Sequence, residues 1–118
     1  MDAVGVFHEL FRVATETRDA DAFARLWADD PAITMWGSDL RERARGIDAI
    51  RALGEAMTNS PTDLRFEWHD LDVYVRGHVA WINAAGTLNG STPYRATVVL
   101  VRTPVGWRVH TFNGSIPD

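Results

Sequence analysis

A chain of 118 residues that is 46% hydrophobic fits one domain with a real core, and it contains no run near the ~20 apolar residues of a membrane helix. The formal net charge of −4 argues against a nucleic-acid surface, which needs a clustered basic excess. The absence of cysteine excludes disulfides, thiolate catalysis and cysteine-ligated zinc.

The sequence begins with the spacing of helices. Apolar residues recur at i, i+3 and i+7 between Val4 and Ala14, which predicts a helix over residues 3–17. Asp19 is a suitable N-cap for a second, short helix, and Asp30-Pro31 ends it because the residue before proline is pushed out of the α region. This second helix should turn three large side chains inward: Phe23, Leu26 and Trp27. No signal peptide is visible ahead of these helices, so we expect a cytoplasmic protein.

A short strand and a third helix follow. Residues 32–36 are predicted to form the strand, and Gly37-Ser38-Asp39 has the composition of a turn. Residues 41–45 are interpreted as a polar connector. The third helix has one apolar face, formed by Ile47, Ile50, Leu53 and Met57. It is predicted to end at Asn59-Ser60-Pro61.

The second half of the sequence changes to the period of two that is typical of strands. Four strands are predicted, over residues 63–76, 78–89, 93–103 and 106–114, and they are separated by short segments rich in glycine and proline. Because parallel neighbours need long crossovers, short connections predict an antiparallel meander. We therefore expect an α+β domain over residues 1–118, in which three N-terminal helices pack on the sheet.

Two of the predicted strands carry further information. In the first, the apolar positions switch from even to odd near His69-Asp70, which requires a bulge or bend and suits a sheet that curls around a cavity. Residues 78–89 are apolar on both faces, and the chain has no spare element to cover the second face. We therefore expect a homodimer through the outer face of the sheet.

Several local patterns resemble SnoaL-like domains of the NTF2-like superfamily. They are the acidic-ended helix at residues 19–30, Trp36-Gly37-Ser38-Asp39, Gly46-Ile47-Asp48-Ala49-Ile50, and Gly106-Trp107-Arg108-Val109 with the later Ser115. The resemblance covers nearly the whole chain and implies a cone-shaped, barrel-like fold around a pocket. The fold hosts isomerases, dehydratases, cyclases, epoxide hydrolases, ligand carriers and assembly domains, so the resemblance does not select an activity.

The resemblance also implies where acid–base groups would lie, and this sequence departs from it there. Family members often carry inward histidines four and six residues after the last-strand tryptophan, where this chain has Thr111 and Asn113. Ketosteroid isomerase-like members place a general-base Asp on the first strand, where this chain has Trp36. Because these three side chains do not titrate near neutrality, whether the protein is an enzyme stays open, with the balance against it.

The remaining polar residues give weak catalytic candidates and no metal site. Asp39 follows the first strand at the expected cavity rim, although a turn-forming role explains it as well. His110 is the second candidate, although strand alternation directs it away from the pocket together with Phe112. No histidines have the i, i+4 spacing of a helical metal pair, so neither a metal nor a cofactor is expected.

The five tryptophans lie on five different predicted elements, and a cone-shaped sheet directs several of them to one cavity. Such a site, apolar with a few hydrogen-bonding groups, suits a small apolar, aromatic or polycyclic ligand. The candidate ligand-binding residues are Trp27, Trp36, Met57, Phe66, Trp81, Asn83, Thr97, Thr111 and Asn113.

Three functions remain open from the sequence. The first is a SnoaL-like protein that binds a small molecule without strong acid–base chemistry. The second is an isomerase, dehydratase or cyclase that transfers protons in the pocket, which requires a carboxylate or histidine within hydrogen-bond reach of the substrate. The third is an assembly module that dimerises through its outer sheet face and has an incidental pocket.

Overall fold

The computed structural model describes residues 1–60 and 63–117, which form three helices and one six-stranded sheet. The helices are α1 (Ala3–Arg12), which continues as a π-helical turn (Val13–Thr17), α2 (Ala20–Arg25) and α3 (Ile47–Thr58). The strands are β1 (Thr34–Trp36), β2 (Arg43–Arg45), β3 (Phe66–Arg76), β4 (Val79–Leu88), β5 (Thr92–Thr103) and β6 (Gly106–Ser115). No helix in the described ranges combines the length and apolarity needed to cross a membrane.

Helices α1 and α2 begin where the sequence predicts, because aspartates satisfy free backbone N–H groups in their first turns. Asp2 accepts from the backbone N–H of Gly5 at the start of α1, and Asp19 accepts from two N–H groups at the start of α2. Between the two helices, Arg18 adopts a left-handed conformation with φ of 52°. The predicted end of α3 at Asn59-Ser60-Pro61 agrees with its last helical residue, Thr58, although Pro61 lies outside the described residues.

The sheet has the strand order β2-β1-β6-β5-β4-β3. All neighbouring strands are antiparallel except β1 and β6, which run parallel. Strand β2 was missed by the sequence analysis, which assigned its residues to a polar connector. Since β2 and β3 are the two edges of the sheet, the sheet is open, and the expectation of a barrel is wrong in this respect.

A β-bulge bends β3 at the predicted place. The register with β4 shifts between Trp68 and Asp70, so that His69 is the extra residue. Opposite the bulge, a β-carbon on Gly86 would lie 1.9 Å from the carbonyl oxygen of Glu67, so only glycine permits this approach of the two backbones. The apolar residues on both sides of the bulge therefore face the same side of the sheet.

A second bulge lies in β6, and the sequence analysis missed it. Val99 pairs with Thr111 and Leu100 pairs with Val109, so that His110 is an extra residue on β6. Before the bulge Trp107 and Val109 are buried, whereas after it Phe112 is buried. The alternation of β6 thus reverses at His110, and the expectation that Phe112 faces away from the interior is wrong.

The core lies between the helices and one face of the sheet, which we call the inner face. A continuous row of buried side chains crosses this face from β1 to β4, through Met35, Phe112, Val98 and Ile82. Phe7 and Leu10 of α1 and Phe23 of α2 pack in the same core. The opposite side of the sheet, which we call the outer face, is not covered by any helix of the described residues.

Candidate functional site

An interior cavity of about 150 Å³ lies between the helices and the inner face of the sheet. The helices contribute Leu10, Phe11, Ala14, Phe23 and Met57; the strands contribute Met35, Phe66, Leu88, Tyr94 and Phe112; the connecting segments contribute Gly37, Ser38, Glu42 and Leu64. An apolar cavity of ~150 Å³ accommodates benzene. A polycyclic ligand, which the sequence left open, exceeds this volume.

Aromatic rings form a rigid wall on one side of the cavity. The centroid of Phe11 lies 5.0 Å from that of Phe66 and 5.8 Å from that of Phe112. Behind them, the indole of Trp68 stacks on Phe66 with an interplanar angle of 6° and a centroid separation of 5.8 Å. Such tilted and stacked contacts hold the rings in fixed orientations, so the cavity has a defined shape.

Polar groups enter the cavity wall at one end, where the turn between β1 and β2 meets β5. The groups are the side chains of Ser38 and Glu42 from the turn and the phenol of Tyr94 from β5. Oε1 of Glu42 accepts a hydrogen bond from the backbone N–H of Asp39 at 3.1 Å, and the carbonyl of Glu42 accepts from the N–H of Gly37. The turn backbone therefore fixes the carboxylate at the cavity wall.

Two glycines provide the space that these polar side chains occupy. A β-carbon on Gly114 would lie 2.1 Å from Oη of Tyr94, and one on Gly37 would lie 2.7 Å from Oε2 of Glu42. Real β-carbons do not approach other heavy atoms so closely, so a larger residue at either position would displace its neighbour. The positions of Tyr94 and Glu42 thus depend on glycines in β6 and in the β1–β2 turn.

The environment keeps the Tyr94 phenol protonated. Burial raises the pKa of Tyr94 to about 12, and the nearby charge of Glu42 acts in the same direction. A hydrogen bond with the Ser38 side chain opposes these effects and is weaker. At neutral pH the cavity wall therefore presents the neutral hydroxyl of Tyr94 near the Glu42 carboxylate.

The cavity adjoins the protein surface beside α3. A surface cleft there shares Glu42, Met57 and Leu64 with the cavity, whereas Leu53 lines the cleft alone. Methionine has three rotatable side-chain bonds and changes conformation at low cost. Glu42, Met57 and Leu64 therefore lie between the cavity and this cleft.

The structure places three of the predicted ligand-binding residues on the inner side of the fold. Met57 and Phe66 lie in the cavity wall. Trp27 is buried, with 4% of its surface exposed, but it lies in the core outside the cavity lining, where its backbone bridges to Val109. Packing in the core therefore explains the position of the large Trp27 side chain.

The other six predicted ligand-binding residues come together on the outer face instead. Direct cross-strand pairs connect Trp36, Asn113, Thr97 and Asn83 in one row, in which the Thr97 hydroxyl donates to Oδ1 of Asn83 at 2.8 Å. Thr111 and Trp81 belong to the adjacent row. The expectation that these six side chains line the cavity is wrong.

The cause of this error differs between strands. On β6, counting from the buried Trp107 gives the wrong face for Thr111 and Asn113, because the bulge at His110 reverses the alternation. On β1, Met35 faces the cavity, whereas Trp36 is 42% exposed. The guanidinium carbon of Arg43 lies over the Trp36 ring, 4.3 Å from its centroid. The indole therefore does not occupy the position that faces the cavity.

On β4 the error follows from alternation that the sequence could not resolve. Both faces of β4 are apolar in sequence, and the buried residues are Ala80, Ile82 and Ala84, which leaves Trp81 and Asn83 on the outer face. On β5 the even-numbered residues already indicated one face in sequence: Tyr94, Ala96, Val98 and Leu100 are buried, so Thr97 faces outward.

The structure places neither catalytic candidate in the cavity wall. Asp39 is exposed in the β1–β2 turn, where hydrogen bonds from the Arg41 side chain and backbone hold the pKa of Asp39 below its ordinary value. His110 lies outside the cavity, with Nε2 3.2 Å from Oδ2 of Asp30 and Nδ1 2.8 Å from the Thr111 hydroxyl. Since a carboxylate only accepts, a neutral His110 donates from Nε2 and accepts from Thr111.

No cluster of three or more potential metal ligands occurs within residues 1–60 and 63–117. The expectation that the protein needs no metal and no cofactor stays a prediction, because the structure does not test it. The polar side chains that line the cavity supply a carboxylate and two hydroxyls.

Sequence reasoning missed the polar end of the cavity. Glu42 was assigned to a connector because arginines flank it on both sides. Tyr94 had a usable signal, since it shares the even-numbered alternation of Ala96 and Val98, which indicates a common face. Gly114 continues the even-numbered set of β6 and marks the close approach that Tyr94 requires.

Comparison with known proteins confirms the fold. A protein of the NTF2-like family from Streptomyces avermitilis, to which dehydratase activity is provisionally assigned, is 21% identical with a TM-score of 0.81, and the match covers 98% of this chain and 94% of that chain. An NTF2-like protein of unknown function from Pseudomonas putida KT2440 is also 21% identical with a TM-score of 0.81, covering 97% and 83%. At this identity the similarity shows the fold alone.

Further comparison identifies the family. A nuclear transport factor 2-like superfamily protein from Salmonella enterica serovar Typhimurium is 18% identical with a TM-score of 0.77, and the match covers 97% of this chain and 87% of that chain. Curated proteins give no sequence match to this chain. The SnoaL-like domain family matches residues 6–118. The protein therefore belongs to the SnoaL-like domain family.

Proposed function

We propose that the protein binds a small, largely apolar molecule of about one ring in its interior cavity. The observation that carries this proposal is the combination of a defined aromatic wall with a volume of about 150 Å³. Sites for small molecules are typically apolar with a few fixed polar groups, and the cavity has this composition. Its polar end, at Ser38, Glu42 and Tyr94, would orient the bound molecule.

Calorimetric titration with toluene and other single-ring molecules tests the proposal. Because Trp68 packs against Phe66, its fluorescence should also change on binding, and Trp68→Phe should lose that change while retaining the calorimetric signal. Ala14→Leu, which extends a cavity-lining side chain into the space, should abolish binding in both assays. Binding of the same ligands by Ala14→Leu with wild-type affinity would contradict the proposal.

A second candidate function is proton transfer in the same cavity. It is favoured by one observation, that a carboxylate and a neutral hydroxyl line one end of an apolar site. Glu42 would abstract a proton from carbon and the Tyr94 hydroxyl would stabilise the developing oxyanion, as in general acid–base catalysis. Dehydratase activity, provisionally assigned to the Streptomyces avermitilis protein, also requires such a transfer.

Solvent deuterium exchange distinguishes catalysis from binding alone. A cyclic ketone such as cyclohexanone should exchange the hydrogens next to its carbonyl faster with the wild-type protein than with Glu42→Gln, as followed by NMR. The matched control is Glu67→Gln, which changes an exposed carboxylate of β3 that pairs with Arg65 outside the cavity. Equal exchange rates with all three proteins would contradict proton transfer by Glu42 and would support ligand binding without catalysis.

We propose that two copies associate through the outer face of the sheet. The support is a set of aromatic and aliphatic side chains that this face exposes, of which Trp36, Tyr74 and Val79 are each about 40% exposed. Tyr74 stacks on Trp81 with centroids 5.5 Å apart, which gives the patch a flat, rigid centre. Exposed apolar patches of this kind mark interaction sites, and a self-complementary face suits a twofold dimer.

A further inference from the structure

The polar end of the cavity selects among ligands by the kind of hydrogen bond that each can make. Glu42 contributes a carboxylate, which only accepts, and Tyr94 contributes a hydroxyl, which donates and accepts. A ligand group placed between them must donate to Glu42 and can at the same time accept from Tyr94. A hydroxyl does both, whereas a carbonyl or an ether only accepts.

Charge excludes other polar groups. A ligand carboxylate would meet the negative charge of Glu42 in an apolar cavity, where like charges repel strongly. An ammonium group would pair with Glu42 but would lose its hydration among aromatic rings, which is unfavourable in protein interiors. The polar end therefore favours a neutral group, and the Tyr94 hydroxyl, kept protonated by its surroundings, fits this requirement.

Size and shape restrict the apolar part of the ligand. The cavity volume of about 150 Å³ matches one six-membered ring with a small substituent, since an engineered cavity of ~150 Å³ binds benzene. Phe11, Phe66 and Phe112 present ring faces and edges toward this space, and aromatic pairs prefer such tilted arrangements. A flat aromatic ring suits these walls better than a saturated one.

We propose that the cavity binds a monocyclic phenol, with the ring among Phe11, Phe66 and Phe112 and the hydroxyl between Glu42 and Tyr94. This inference rests on the proposed function as a single-ring binding protein and adds the chemical class of the ligand. The phenol donates its proton to Glu42 in a hydrogen bond and accepts one from Tyr94. The glycines at positions 37 and 114 leave the space that the Glu42 carboxylate and the Tyr94 hydroxyl occupy.

Calorimetric titration at pH 7 with four ligands of the same ring tests the inference. p-Cresol carries a hydroxyl, 4-methylanisole an ether, 4-methylbenzoate a carboxylate, and toluene none of these. A hydrogen bond to a charged acceptor contributes enough that p-cresol should bind about tenfold more tightly than toluene or 4-methylanisole. 4-Methylbenzoate should bind more weakly than toluene. 2-Naphthol, with the same hydroxyl on two rings, should bind more weakly than p-cresol.

Variants connect the preference to the two residues. Glu42→Gln and Tyr94→Phe should each remove most of the roughly tenfold preference for p-cresol over toluene. Both variants should retain the wild-type affinity for toluene. Glu67→Gln should leave the preference unchanged. Toluene binding reports an intact cavity, so a variant that fails to fold loses toluene binding as well. In that case the other variant tests the inference.

The outcomes separate this inference from the proposed function. If toluene and p-cresol bind equally well to the wild-type protein, the phenol inference is overturned and single-ring binding stands. If p-cresol is preferred but both variants keep the preference, Glu42 and Tyr94 are not the recognition groups and the inference is also overturned. If no single-ring ligand binds, both the inference and the proposed function fail.

Discussion

The hydroxyl of Tyr94 occupies the space that a side chain at position 114 would need, since a β-carbon there would lie 2.1 Å from Oη. We expect Gly114→Ala to destabilise the protein by about 2 kcal/mol and to displace the Tyr94 side chain from the cavity wall. Combining it with Tyr94→Phe, which removes the colliding oxygen, should recover part of the loss. Thermal denaturation of the single and double variants checks this, and additive losses would contradict it.

A second close approach stabilises the bend in β3. Gly86→Ala would place a β-carbon 1.9 Å from the carbonyl oxygen of Glu67, and backbone atoms cannot move aside as a flexible side chain can. We expect a loss of about 3 kcal/mol in the free energy of unfolding, measured with denaturant. Gly77→Ala is the control, because its φ of 60° is strained but no atom lies within 4 Å, so its loss should be about 1 kcal/mol.

The two β-bulges illustrate which features of the fold could be predicted from the sequence. The bulge at His69 was predictable, because three apolar residues lie on each side of the change in alternation. The bulge at His110 was not, because only Phe112 follows it as a large apolar residue, and Thr111 and Asn113 fit a polar cavity wall equally well in sequence. Local periodicity thus defined the elements, whereas the assignment of faces depended on one extra residue.

The polar end of the cavity was harder to predict for a different reason. Glu42 and Tyr94 are 52 residues apart in sequence and meet because the β1–β2 turn folds over the end of β5. Neither the connector that contains Glu42 nor the strand that contains Tyr94 has a motif that indicates this meeting. Such a contact between a turn and a distant strand follows from the tertiary fold and not from local spacing.

Acidification should remove the stabilisation that the Asp30 carboxylate contributes. The hydrogen bond from the Ala32 backbone N–H, and secondarily the contact with His110, hold the pKa of Asp30 below its ordinary value. A carboxyl with a lowered folded-state pKa stabilises the fold above its unfolded pKa of ~3.9, and this stabilisation is lost as pH falls through the folded value. Between about pH 5 and about pH 2, the melting temperature should therefore fall less in Asp30→Asn than in the wild type.

The control for this pH profile is Asp29→Asn, which changes the net charge by the same amount one residue away. It should retain the acid dependence of the wild-type melting temperature, measured by calorimetry in the same buffers. If Asp29→Asn and Asp30→Asn flatten the profile equally, the effect reflects net charge and not the contacts of Asp30 with Ala32 and His110.

We expect ligands to exchange between the cavity and the surface cleft beside α3. Met57→Ala shortens a side chain that lines both spaces, so we expect association and dissociation rates for a single-ring ligand to rise together, by about tenfold. Leu53→Ala is the matched control, because Leu53 lines the cleft and not the cavity. Stopped-flow fluorescence measures both rates, and equal changes in the two variants would locate the path elsewhere.

The proposed dimer makes a direct prediction for the outer face. The wild-type chain of 13.2 kDa should give a mass near 26 kDa by light scattering at micromolar concentration. Trp81→Arg places a charge at the centre of the exposed aromatic patch and should give the monomer mass, because burying an unpaired charge is costly. Val105→Arg, on the exposed β5–β6 turn, should remain dimeric. A monomeric wild type would rule the dimer out.

The extra residue in β6 separates the length of the strand from the orientation of its side chains. Deleting His110 would let β6 pair with β5 without a bulge, and Phe112 would still face inward while Thr111 and Asn113 would still face outward, because only the residue without a partner on β5 is removed. The deletion would remove the contact of His110 with Asp30 and leave the residues of both sheet faces in place. The chemical contents of the two faces are therefore set by the register of β6 with β5.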